Sequence, residues 1–190
     1  ISRRGPRWRP MRAGDRLRLG EWRLDVLWPP PRTGRISRLG SNDRSLVLLA
    51  RHRTFKALLA GDLEWLGERK LARRLEALDV GPIDLLKVPH HGSRTSTSER
   101  LLAVTRPTSA WISAAAGHRF GHPHAEVLER LRLRDVTVWG TDRAGQLRAL
   151  IAPRGASDTA VGWQTPAAER AAPHRARGTG APNHVSDFIE

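Results

Sequence analysis

The stretch Asp84-Leu-Leu-Lys-Val-Pro-His-His-Gly-Ser-Arg-Thr-Ser-Thr-Ser98 decides how this chain is read. Residues 83–88 form a short, mainly apolar run of strand length, the pattern of a buried strand. Pro89 ends it, and two adjacent histidines, a glycine and a run of hydroxyls follow. Imidazole is the commonest protein metal ligand and carries a proton near neutral pH, so a strand end that presents two of them at a sheet rim is suited to chemistry. A polar surface turn with two incidental histidines is the competing reading of the same residues.

Outward from this loop the period alternates between 2 and 3.6. Residues 16–19 and 22–27 alternate around Gly20-Glu21, and residues 45–50 and 55–60 flank a turn at His52-Arg53, which gives two hairpins. Residues 64–78 carry apolar side chains at helical spacing, with Glu68, Arg69, Arg73 and Arg74 expected on the exposed side. A short helix capped by Ser98, a strand over 109–113, a helix opened by Pro123 and strands over 136–139 and 146–151 complete an α/β domain over residues 15–152. Residues 1–14 are basic and aperiodic, and residues 153–190 are rich in Ala, Gly, Pro, Thr and Arg; both are read as disordered.

Composition narrows the chemistry. The 190 residues suffice for one domain, and the absence of cysteine leaves only His, Asp and Glu to hold a metal. The formal net charge of +14 favours polyanionic partners, although Lys56, Lys70 and Lys87 are the only lysines, so a coding preference for arginine accounts for the balance equally well. No apolar run is long enough to span a bilayer, so the chain as given reads as soluble. It starts with Ile1, which suggests a piece of something longer.

Three loops follow strands in the same manner: Gly61-Asp62-Leu63-Glu64, His90-His91-Gly92-Ser93, and residues 117–122. Loops at the same ends of neighbouring strands converge, and a carboxylate gathered with imidazoles there makes a shell for Zn²⁺ or Mn²⁺. Asp62 is the best single ligand candidate; capping the following helix competes for the same side chain. Glu64 is read as a first-turn residue favoured by the helix dipole rather than as a ligand. His122 is given a functional reading, His118 and His124 a bland one, and His52 a place on the surface. No nucleophile elbow or phosphate-cradling glycine loop is present.

Taken together, Asn42-Asp-Arg-Ser-Leu-Val-Leu-Leu49, Leu58-Leu-Ala-Gly-Asp-Leu-Glu64, Leu86-Lys-Val-Pro-His-His-Gly-Ser-Arg-Thr-Ser96, Ile112-Ser113 with Phe120-Gly-His-Pro123, and Thr141-Asp142 with Gly145 resemble the metallo-β-lactamase-like domain of ComEC-type DNA-internalisation competence proteins. The resemblance implies an αββα metallo-β-lactamase-like sandwich of which the C-terminal half is present. It implies Asp62 and His91 as metal ligands, and His90 and His122 as catalytic or substrate contacts. The implied cofactor is a divalent metal, Zn or Mn, weakly bound or absent in this chain. The implied partners are single-stranded DNA and the membrane-channel portion of a parent protein, with this domain extracytoplasmic.

Where the family shows Gly and Asn in its Ile-Ser loop, this chain has Ala115 and His118. The family's early His-x-Asp-x-Asp-His cluster has no counterpart either. The expected activity is therefore that of a fragment of a metal-dependent nuclease or phosphodiesterase. The alternatives are a catalytically dead DNA-binding or structural remnant, or another hydrolase of the same fold.

Overall fold

In the computed structural model the described residues are 9–31, 39–115, 117, 120–151 and 161–164. The elements run β1 (Arg16–Leu19), β2 (Trp22–Trp28), β3 (Val47–His52), β4 (Phe55–Leu59), α1 (Trp65–Ala77), β5 (Leu85–Lys87), α2 (Glu99–Thr105), β6 (Ser109–Ile112), α3 (Ala125–Arg132), β7 (Thr137–Gly140), α4 (Thr141–Ala144), β8 (Arg148–Ile151) and β9 (Val161–Gln164). A single turn of 3₁₀ helix occupies Asn42–Arg44, and Pro89–Gly92 form a tight turn.

The first seven strands form one sheet in chain order. β1 to β4 pair antiparallel, whereas β4 to β7 are mutually parallel, each crossover carrying a helix. Period-2 alternation then assigns side chains to faces. Leu58, Leu86, Ala110 and Val138 point one way and pack with Leu71 and Leu75 of α1, Leu101 and Leu102 of α2, and Val127 and Leu131 of α3. Each fully buried leucine there contributes roughly 1.5–3 kcal/mol. On the opposite face Ala50, Phe55, Ala57 and Leu85 form a smaller cluster with Trp22, Leu24, Trp111 and Ile151. β5 is thus apolar on both sides, which is why its sequence runs without alternation.

One sheet layer with helices on one face is half of an αββα arrangement, in the α/β class expected. Several local readings are corrected. Glu68, assigned to the exposed side of α1, is fully buried. Pro123 does not open α3, which starts at Ala125 with His124 in the capping position. The turn after β7 is the short helix α4, and β8 leaves the main sheet to pair with β9. His52 is not a free surface residue: its ring lies 5.1 Å from that of Trp22, and its Nε2 is 3.0 Å from Glu21 Oε2. The lead-in up to residue 8, and the tail apart from β9, lie outside the described residues.

Candidate functional site

Because β4, β5 and β6 are parallel, the segments leaving their C-terminal ends meet at one rim of the sheet. The first is Gly61-Asp62. Gly61 has φ +56, and a Cβ there would lie 2.8 Å from Ser45 Cβ, so both conformation and space demand glycine. Ser45 Oγ accepts the Asp62 N–H at 2.9 Å and fixes the start of the loop.

The competition for the Asp62 side chain is resolved by a residue 19 positions upstream of it in the chain. Asp43 is buried, and its Oδ1 accepts the N–H groups of Glu64 at 3.1 Å and Gly67 at 3.0 Å. That is the N-terminal cap of α1, supplied from the 3₁₀ turn before β3 rather than from the adjacent loop. Trp28 Nε1 donates to the Asp43 carbonyl at 2.7 Å and holds the turn in place. Asp62 is left pointing at the rim, half-exposed.

The double histidine follows β5 in an uncommon backbone state. His90 and His91 both have positive φ, +47 and +55, a conformation disfavoured for residues bearing a Cβ. The His90 N–H donates to the Gly61 carbonyl at 3.0 Å, which ties this loop to the Asp62 loop. Gly92, at φ +83, lies against Pro123, and its carbonyl accepts the His124 N–H at 2.9 Å, which ties on the third loop.

Two carboxylate and imidazole pairs result. His91 Nε2 is 3.5 Å from Asp62 Oδ1, and His90 Nδ1 is 3.3 Å from Glu64 Oε1 without the alignment of a hydrogen bond. Glu64 Oε1 also accepts from Thr95 Oγ1 at 3.0 Å and Asn42 Nδ2 at 3.4 Å. The His122 ring meets that of His90 edge-on, 5.7 Å between centroids, with the His124 ring 4.9 Å beyond. The four residues singled out from sequence, Asp62, His90, His91 and His122, are therefore gathered at one rim, while His118 lies outside the described residues.

His91 carries the most informative geometry. Its Nδ1 lies 2.5 Å from the Ser113 carbonyl oxygen, an acceptor only, so Nδ1 bears the proton. A neutral ring then aims the Nε2 lone pair at a carboxylate oxygen. That placement is favourable only if Nε2 is protonated or a cation lies between the two atoms.

In kind and direction, Nε2 and Oδ1 fit a divalent ion. In number they do not, because among the described residues no three His, Asp or Glu side chains gather to hold one. Lys87 adds to the local field: burial lowers its ammonium from the ordinary value, while the Asp62 carboxylate pulls the other way.

The loop carrying the histidines is braced from both sides. Glu68 Oε1 accepts the Thr97 N–H and Oε2 accepts the Ser98 N–H at 2.7 Å. Arg130 of α3 donates to the Thr97 carbonyl at 2.8 Å and the Ser96 carbonyl at 3.0 Å. Ser96 Oγ closes the inside through the carbonyls of Pro89 and Ser93, both at 2.9 Å. Sequence reasoning missed the parts played by Asp43, Glu68 and Arg130. A carboxylate on the apolar side of a helical wheel was the one readable sign of Glu68.

No family profile matches the chain. It is 34% identical over 141 residues to ComE operon protein 3 of Bacillus subtilis (strain 168), covering 73% of this chain and 17% of that protein. It is 42% identical over 107 residues to Recombination protein 2 of Haemophilus influenzae, 56% of this chain and 13% of that protein. It is 29% identical over 110 residues to Competence protein ComA of Neisseria gonorrhoeae, 58% of this chain and 16% of that protein. The chain thus spans about a sixth or less of each relative's length. Among solved structures, a putative metal-dependent hydrolase of Parabacteroides distasonis aligns at 15% identity and TM-score 0.46, covering 70% of this chain and 56% of that one.

Proposed function

We propose, from the premise that this chain is related to one segment of the ComEC-type competence proteins, that its rim is part of a metal-dependent phosphodiester hydrolase site serving DNA uptake. The supporting observation is the His91 ring, whose Nε2 faces Asp62 Oδ1 at 3.5 Å while Nδ1 is spent on the Ser113 carbonyl. In this reading Asp62 and His91 are two of the ligands of a divalent ion, Zn²⁺ or Mn²⁺, and further ligands come from outside the described residues. Held there, such an ion would supply Lewis acidity toward a water and a departing oxygen. The chain's own residues orient the substrate: His90, with Glu64 beside its ring, and His122 line the position of a substrate phosphodiester. The substrate is single-stranded DNA. The other partner is the membrane-channel portion of a larger protein, with this domain outside the cytoplasm; no described helix is long and apolar enough to cross a membrane itself.

A second reading, a DNA-binding remnant without turnover, is favoured by the missing third ligand among the described residues. Titration calorimetry with Zn²⁺ and Mn²⁺ tests the first. Weak binding lost in both Asp62→Ala and His91→Ala supports it, and no binding, or binding indifferent to both substitutions, removes it. Incubation with single-stranded DNA bears on completeness. The 190-residue chain is expected to give no products, and chelator-sensitive cleavage by it would mean that the site is whole.

A further inference from the structure

A groove on the helical side of the molecule runs between the outer face of α1 and the start of α2, lined by Trp65, Leu66, Arg69, Arg73, Ser98 and Arg100. Folding accounts for little of this composition. Trp65 is 53% exposed, in the first turn of a helix where a polar residue would serve equally well. Arg69 and Arg73 are exposed, and among the described residues neither is held by a hydrogen bond or an ion pair. Arg100 differs, being engaged by both oxygens of Glu76 at 2.7 Å.

Residues 65, 69 and 73 recur every fourth position and make one stripe along α1, about 12 Å long at 1.5 Å per residue. The stripe begins at the rim. The Trp65 N–H donates to the Thr95 carbonyl at 2.9 Å, and Thr95 Oγ1 donates at 3.0 Å to Glu64, the carboxylate beside His90.

We propose that this stripe is a landing surface for single-stranded nucleic acid, with a base stacked on Trp65 and backbone phosphates on Arg69 and Arg73. An exposed indole followed by guanidiniums at regular spacing matches what an unpaired strand offers, alternating flat bases and phosphates. A duplex hides its base faces, so it gains from the arginines but not from the indole. A membrane surface would need more apolar area than one indole and Leu66 provide. The net charge of +14 steers polyanions toward the molecule, and the stripe gives them a place to order. The surface rests on the proposed reading of the rim only for where the strand leads; binding itself does not require the rim.

The test is fluorescence anisotropy of the full chain with a labelled oligo(dT) of about 16 nucleotides across a salt series. Trp65→Ala is expected to weaken binding about 10-fold with the salt slope unchanged, and Trp65→Phe to retain most of the affinity. Arg69→Gln and Arg73→Gln should each lower the slope of log K against log salt by about 0.7. Arg18→Gln on β1 should leave both affinity and slope in place.

The titrations are run in EDTA with no added metal, so the surface is read apart from the rim. The surface and the rim therefore fail separately, the first in these titrations and the second in metal binding. Circular dichroism of each variant checks the fold, and the exposure of all three positions makes loss of folding a minor concern. Equal binding by parent and Trp65→Ala, equal sensitivity of a duplex to that substitution, or binding to phosphatidylglycerol vesicles in place of the oligonucleotide would each overturn the proposal.

Discussion

Gly61 shows how little freedom the rim has. An added methyl would meet Ser45 Cβ at 2.8 Å in a backbone that is already left-handed, so Gly61→Ala is expected to cost about 1–3 kcal/mol in urea unfolding. Glu68 constrains the site from beneath. Burial pushes its carboxyl above the ordinary 4.5, opposed by the Ser98 and Thr97 contacts and by Arg130. Above that ordinary value the unfolded carboxyl ionises while the folded one keeps its proton. Unfolding then releases a proton, and this residue's contribution to stability falls as pH rises through the window up to the raised value. Glu68→Gln removes that slope and sets an amide N–H₂ against one of the two backbone donors, a loss of about 1–3 kcal/mol. Urea titrations at about pH 5 and about pH 8 should show the parent's advantage over the variant shrinking at the higher pH.

At the scale of elements, the loop of residues 89–98 is held between a helix that accepts from it and a helix that donates to it. Arg130→Ala removes two donors from the Ser96 and Thr97 carbonyls and should cost roughly 2 kcal/mol. Amide exchange should then speed up across residues 90–98 more than in α1 or the central strands, as measured by mass spectrometry. Much of this scale could be read from the chain alone. Both hairpins, α1 and the cap of α2 announced themselves through period and turn chemistry: Ser98 does accept from the Leu101 N–H, at 3.3 Å. Asp43 capping α1 could not be read, because the donor groups and the acceptor are more than 20 residues apart and nothing local pairs them. The departure of β8 from the main sheet was hidden for a similar reason: alternation tells which face a strand shows, not which strand it joins.

Among the described residues the sheet has one face covered by helices and one only partly covered. Beside the cluster of Ala50, Phe55, Ala57 and Leu85, register places Leu17 opposite Leu24 and Leu19 opposite Trp22, and Leu17, Leu19 and Leu59 are exposed. Like-charge repulsion at +14 keeps such faces apart in dilute salt, so self-association is expected to rise with both protein and salt concentration. Replacing Leu19 and Leu59 by lysine should reduce it, with sedimentation velocity as the measurement.

The seven-stranded sheet lists its strands in the order in which the chain supplies them. During synthesis, each newly emerged strand finds the edge it needs already laid down by its predecessor, and no gap has to be kept open for a latecomer. Assembly of this sheet can therefore advance in step with the ribosome, one edge at a time.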